Sequence, residues 1–374
     1  MVFGFAVGIL AGLAIAIVVE VGFSDVTFAE YVEKLGSARF SETAGAGLVG
    51  LLAFIVCMVL LVPVHEAGHL VAGLLSGYRF VSFRIFNYVI IRIDGKLRIK
   101  KYSIAGTGGQ CLLLPPETPI DKVPTAWYNL GGVIANILVL PVLLPLAFIN
   151  GHPYLSVVVW VAILADLMLI IINGIPMKVS GAGNDAYNAL LLRNNPVAKR
   201  GFIEALKSNA MLQNGVRPKD MPAEWFTVPD HINYRDQLEV SIPLMAASRL
   251  LDQMKFVEGL EAWEAIYSHK KELIGLYVKE IECELVFLRL VAGDLEGAEK
   301  LLTPELQKYI ATYSRMMSSK ERILFTKALI LDKDRSKANE ILSGLKNRQN
   351  EYLLQGEVLS DIAIMETVLK QCSE

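Results

Sequence analysis

Three residues in one short stretch are spaced for joint chemistry: His65, Glu66 and His69, within His65-Glu66-Ala67-Gly68-His69. On an α-helix, positions i and i+4 lie one above the other on the same face. His65 and His69 can therefore offer two imidazoles to one metal ion. Glu66, beside them, can act as general base on a water acidified by that ion. Gly68, with no side chain, lets another backbone or a substrate come close. Two imidazoles do not complete a catalytic site, which ordinarily takes three protein ligands and keeps a fourth position for water. Asp185, Asp166, Glu20 and His152 are the candidates for the third ligand.

The setting strengthens the motif. It ends an apolar run, residues 48–75, long enough to cross a membrane as a helix. A charged side chain at the bilayer centre costs roughly 2.5–3.5 kcal/mol on insertion scales, so ionisable groups there are rare and usually functional. The plainer alternative is that these residues are the polar cytosolic end of the helix. Pro63, one turn earlier, removes a backbone hydrogen bond and kinks the helix, which opens it to substrate or serves packing alone. Residues 2–21, 130–149 and 154–172 are further apolar runs, which makes about four predicted spans. No basic residues precede the first run and no small-residue cleavage site follows it, so it is predicted to be a retained span.

Composition divides the chain in two. It has 374 residues, 53% of them hydrophobic, and a formal net charge of −2. Most of the long apolar runs fall before residue 195, and residues 196–374 have the charge density of a soluble protein. The near-neutral balance gives no reason to expect nucleic acid as a partner. The four cysteines, Cys57, Cys111, Cys283 and Cys372, form no C-x-x-C pair, so neither a zinc ribbon nor a disulfide framework is indicated.

The elements that must position the motif follow in order. Arg79, Arg84, Arg92, Lys96, Arg98, Lys100 and Lys101 make the connection at 77–127 basic, which assigns it to the cytosolic side. Within it, region 78–104 reads as a β-hairpin. Val89-Ile90-Ile91-Arg92-Ile93 and Lys96-Leu97-Arg98-Ile99-Lys100 flank Asp94-Gly95, a favoured tight turn, with a further strand predicted around residues 80–86. Such a sheet has an edge to which an extended peptide can add, or it simply lies on the membrane lipid. Gly106-Thr107-Gly108-Gly109-Gln110-Cys111 lacks the pattern of a phosphate-cradling loop.

The helix at 130–149 opens on Gly131-Gly132 and carries Asn136, which can hydrogen-bond across helices. The helix at 154–172 carries Asp166, an intramembrane carboxylate in need of a partner. Asp185 is either a helix cap or the third ligand. Position favours it as the ligand, because the helix at 154–172 returns to the cytosolic face just before it. Asp166 lies about 10 Å deeper than Asn173 at 1.5 Å per residue. His152 lies on the opposite side of the membrane.

Residues 196–374 read as helices throughout. Phe256-Val257-Glu258-Gly259-Leu260-Glu261-Ala262, Asp294-Leu295-Glu296-Gly297-Ala298-Glu299 and Asp334-Arg335-Ser336-Lys337-Ala338-Asn339 look alike at about forty-residue spacing, as in helix-turn-helix repeats of the tetratricopeptide-like kind. An ordinary helical bundle is the alternative. Stacked repeats offer a concave face to a protein partner. His231 and His269 read as surface residues. The expected fold is thus mainly α: a polytopic helix bundle with a small β insertion at 1–195, then a cytosolic helical-repeat domain at 196–374.

The sequence resembles the site-2 proteases, which are intramembrane zinc metalloproteases. His65-Glu66-Ala67-Gly68-His69 matches their metal-binding helix. Gly132-Val133-Ile134-Ala135-Asn136 looks like their Gly-x-x-x-Asn segment. Asn173-Gly174-Ile175-Pro176 with Asp185 resembles their Asn-x-x-Pro…Asp-Gly segment, with Ala186 in place of the glycine. The resemblance covers about residues 48–190. It implies Zn2+ held by His65, His69 and Asp185, Glu66 as general base, and Asn136, Gly132 and Asn173 at the substrate. The implied reaction is hydrolysis of a peptide bond in or next to a membrane segment. The rival expectation is an inert membrane scaffold whose cytosolic repeats bind a partner. A metal transporter is a weaker third, with only Glu20 and Asp166 to line a polar path.

Overall fold

The computed structural model describes residues 40–93, 96–102, 108–149, 153–179 and 181–372. The predicted span at 2–21, Glu20, the Asp94-Gly95 turn, Gly106-Thr107 and His152 lie outside the described residues. Helix α1 runs over Phe40–Leu75, so it begins before the apolar run. Helix α2 is Ala126–Ile149 and α3 is Pro153–Gly174.

Among the described residues, three segments are long and apolar enough to cross a membrane: Leu48–Leu75, Ile120–Phe148 and Val157–Gly174. Their exposed side chains are themselves apolar, among them Leu52, Val56, Leu60, Val142 and Ile171. A helix that is apolar all round buries its surface in lipid or protein rather than water.

The described residues divide into two compact units, 40–59 with 143–165 and 60–142 with 166–372. In the first, Ala53, Cys57, Val159, Ile163 and Ala165 are buried, and Phe148 meets Trp160 edge-on at 6.1 Å.

The second unit contains a four-stranded antiparallel sheet in the order β3-β2-β1-β4, with β1 Arg79–Ile85, β2 Tyr88–Ile93, β3 Lys96–Lys101 and β4 Gly109–Leu114. The alternation of β2 and β3 fixed their pairing, Ile91 opposite Arg98 and Ile93 opposite Lys96. Strand β4 was not legible, because Gln110-Cys111-Leu112-Leu113-Leu114 has no period-2 pattern. It owes its conformation to pairing with β1, Phe83 opposite Cys111. Cys111 and Leu113 pack with Tyr78, Tyr128, Ile203 and Leu206, while Val89 and Ile91 pack with Leu353. Lys100 Nζ donates to the carbonyls of Asn350 (2.8 Å) and Tyr352 (2.6 Å), which ties the hairpin to the helices that follow.

After α3, a two-residue ladder (β5 Lys178–Val179, β6 Ala182–Gly183) leads into α4 Asp185–Asn194 and α5 Pro196–Gln213. Two single-turn 3₁₀ segments occupy part of 214–236, where continuous helix was expected. Then come α6 Gln237–Asp252, α7 Phe256–Tyr267, α8 Gly275–Val291, α9 Leu295–Leu301, α10 Pro304–Tyr313, α11 Ser318–Thr326, α12 Arg335–Arg348 and α13 Gln355–Gln371. The three look-alike segments open α7, α9 and α12. In each case a residue in left-handed conformation stands two positions before the first residue of the helix: Met254 (φ 60°), Gly293 (φ 81°) and Lys333 (φ 54°). Asp294 and Asp334 then cap their helices by accepting from the N–H of Gly297 and Lys337. The sequence similarity therefore marks a repeated turn.

This domain buries charge. Arg322 donates to Glu284 (2.7 Å) and Asp361 (2.7 Å), and Lys320, fully buried, donates to Glu280 (2.7 Å). Burial, with Asp361, Glu280 and Glu284 adding like charge and Lys320 opposing, pushes the Glu357 carboxyl up to about 8 from an ordinary 4.5. A raised acid favours the protonated folded form, so this group's contribution is most favourable below its unfolded value and is lost as pH rises towards about 8. Glu357→Gln, which stays neutral, is expected to raise the melting temperature at about pH 9 and to change it far less at about pH 5. An equal effect at both pH values would show that ionisation of Glu357 is not the cause.

Candidate metal centre

His65 and His69 lie one turn apart on α1, and both rings are oriented through Nδ1. His65 Nδ1 is 2.6 Å from Asn136 Oδ1, and His69 Nδ1 is 2.8 Å from the Tyr128 carbonyl. Both partners are oxygens that accept, so each Nδ1 carries the proton and each Nε2 turns a lone pair inward. The two Nε2 atoms are 3.2 Å apart. Asp185 Oδ2 stands 3.0 Å from the first and 3.4 Å from the second. That oxygen is buried and has no hydrogen-bond partner once both Nδ1 atoms are protonated. Three lone-pair atoms this close repel one another unless positive charge lies between them. A proton on a ring supplies it when no ion is bound. Burial alone would raise the Asp185 carboxyl, but the contacts from His65 and His69 outweigh it and hold the group lowered to about 2. With the rings neutral, the same three atoms can hold a metal ion, and they are a candidate ligand set among the described residues.

Close helix packing builds the site. Gly68 on α1 faces Gly131 on α2, and a Cβ on Gly131 would fall 2.5 Å from the Gly68 carbonyl oxygen. Small residues at such a crossing let the backbones touch. A Cβ on Gly132 would lie 2.5 Å from His65 Nε2 and 2.6 Å from His69 Nε2. Gly132, which the resemblance assigns to the substrate, is thus the residue that keeps the space over the ligand nitrogens clear.

Asp185 arrives by a separate device. The expectation that Asp185 caps a helix is met by its neighbour: Asn184 accepts from the Tyr187 N–H at the start of α4. The Asn184 amide also donates to the carbonyls of Ile172 (2.5 Å) and Ile175 (2.6 Å), pinning α4 to the end of α3. The Asp185 side chain is left free to face the imidazoles.

Asp166 does not belong to the ligand set. Its Oδ1 accepts from Asn136 Nδ2 at 2.6 Å, and both residues are fully buried. The Asn136 amide thus has a protein partner at each end, His65 at its oxygen and Asp166 at its nitrogen. Asn173 donates to the Leu169 carbonyl of its own helix.

The buried Glu66 side chain packs on β4, where a Cβ on Gly109 would lie 2.5 Å from Glu66 Oε1. Its carboxylate is within electrostatic reach of His69, His65, Asp185 and Arg84. Arg84, read from the sequence only as part of a basic loop, is buried in the sheet. It donates to the carbonyls of Phe86 (2.8 Å) and Gly109 (3.0 Å) and so fixes the strand end that borders Glu66. Burial lowers the Arg84 guanidinium from its ordinary value, and the charge of Glu66 opposes this. The alternation of β1, which puts Ser82 and Arg84 on one face, was the available signal for an inward Arg84. The Tyr128 carbonyl had none. His231 is exposed, and His269 stacks on Tyr234 at 3.8 Å, away from this site.

No known protein family, curated protein or solved structure matches the chain.

Proposed function

We propose that this chain is an intramembrane zinc metalloprotease of the site-2 kind, hydrolysing a peptide bond in or next to a membrane segment of a protein or precursor peptide. The observation that carries the reading is the convergence of two inward Nε2 lone pairs and one carboxylate oxygen beside a buried glutamate. A tetrahedral zinc site with ligands about 2.0–2.1 Å from the ion separates neighbouring ligand atoms by about 3.3 Å. The distances of 3.0, 3.2 and 3.4 Å among His65, His69 and Asp185 fit that edge.

Zinc, when bound, supplies a Lewis acid that polarises a carbonyl and lowers the pKa of water to about 7. Glu66 takes the proton of the attacking water and passes it to the leaving amine. Burial against Gly109 limits water at that carboxylate, and Arg84 holds its border. Strand β4 is an edge of the sheet, and its first residue touches Glu66. An extended peptide hydrogen-bonded along β4 would bring its carbonyls to the site, and a helical substrate must unwind first because its carbonyls are tied up internally.

In this reading the basic β hairpin and the C-terminal helices face the cytosol, the spans contact lipid, and the tetratricopeptide-like helix pairs recruit a protein partner. Purified protein is expected to carry about one zinc per chain, as this ligand set implies, and Asp185→Ala is expected to lose it. Zinc content unaffected by that change, or no zinc at all, would leave a scaffold with an inert site as the better account. Comparing the membrane proteome of cells carrying wild type or Glu66→Ala would identify the substrate as the species that accumulates uncut.

A further inference from the structure

Asp166 is a buried carboxylate that the mechanism above does not use. Its Oδ1 takes a hydrogen bond from Asn136, and its Oδ2 is buried without a partner. Asn136 passes the contact on to His65. We propose that Asp166 and Asn136 are positioning residues that set the tautomer of His65, so that its Nε2 faces the metal with a lone pair. The proposal rests on the metal reading of this site.

The logic is one of donors and acceptors. A side-chain amide has two ends of nearly equal shape, one that accepts and one that donates. Asn136 alone could turn either end to His65. With the oxygen facing Nδ1, the ring must carry its proton there, and Nε2 is free to ligate. With the NH2 facing Nδ1, the proton moves to Nε2 and points at the metal position, so the ring can no longer bind a cation. Asp166 Oδ1 accepts from the NH2 end of Asn136 at 2.6 Å, which turns the amide oxygen to His65, also at 2.6 Å.

His69 needs no such relay. It meets a backbone carbonyl, Tyr128, which cannot turn round. The two ligands thus reach the same state by different means, one fixed by the main chain and one by a carboxylate acting through an amide. Partners of this kind orient metal-bound imidazoles and typically contribute about 10–100-fold to metal affinity.

The test measures zinc affinity of the purified full-length protein in detergent by competition with a chelator of known affinity, and records the visible spectrum of the cobalt-loaded form. Asp166→Asn keeps the size of the side chain but lets both amides rotate. It is expected to weaken zinc about 10–100-fold and to shift the cobalt bands. Adding Asn136→Asp to it exchanges the two groups. A carboxylate on α2 then accepts from both His65 and the new amide on α3, and affinity and spectrum are expected to return close to wild type. A residue that only fills space would not be rescued by this exchange.

Wild-type affinity in Asp166→Asn, or an exchange variant that binds zinc as weakly as the single one, would overturn the relay while leaving the metal site in place. A wild-type protein that binds no zinc would overturn both. Melting curves of the metal-free forms check that each variant is folded.

Discussion

Gly132→Ala is expected to abolish metal binding, a larger effect than any change outside the ligand set. The added methyl carbon would lie 2.5 Å from His65 Nε2 and 2.6 Å from His69 Nε2, well inside van der Waals contact. Neither ring can retreat easily. Each is held at Nδ1, one by Asn136 and the other by the Tyr128 carbonyl, and α1 and α2 already touch at Gly68 and Gly131. The methyl must displace both ligands or occupy the place of the ion. The loss of zinc affinity should exceed the about 10–100-fold that orienting partners contribute. Gly174→Ala is the control, because its new carbon would meet the buried Val133 side chain at 3.2 Å and no ligand. Equilibrium zinc binding of the two variants decides the matter. Near-normal affinity in Gly132→Ala would mean that the imidazoles are not placed as described.

Glu66→Gln separates chemistry from binding. The amide has the shape of the carboxylate and can still pack on Gly109, but it has no basic lone pair with which to take a proton from water. Positioned general bases contribute about 10²–10⁴-fold to rate, and cleavage of a membrane-segment substrate should fall by at least that much. Zinc content should stay at the wild-type level, because Glu66 is not among the three ligands. Unchanged turnover in the purified variant would remove Glu66 from its assigned role. Loss of zinc together with turnover would show that Glu66 helps to build the site rather than to run the reaction.

The unlike outcomes expected for these two neighbouring groups reflect what each kind of information can reach. The pairing of His65 with His69 and the placing of Glu66 beside them follow from the 3.6-residue period of one helix, so the sequence carried them in full. The same holds for the three described apolar segments, each a contiguous run long enough to cross a membrane, and for the pairing of β2 with β3, whose alternation is contiguous. Asp185 was reachable because Asn173-Gly174-Ile175-Pro176 ends a helix at the face where the histidines lie.

Direction and clearance were not legible. Asn184, not Asp185, caps α4, and only the fold shows that its amide ties the loop back to Ile172 and Ile175. Gly132 and Asn136 stand in a segment suited to a substrate. In the folded chain one gives the ligand nitrogens room and the other is held between His65 and Asp166. Arg84 and β4 join the site through pairing across the sheet, between residues far apart in the chain. The sequence by itself determined which groups could do the chemistry, because those groups share a helix turn. The tertiary structure decided which atoms converge as a candidate ligand set and which merely hold them there, because donor–acceptor direction and clearance depend on contacts between α1, α2, α3 and β4 that no local period encodes.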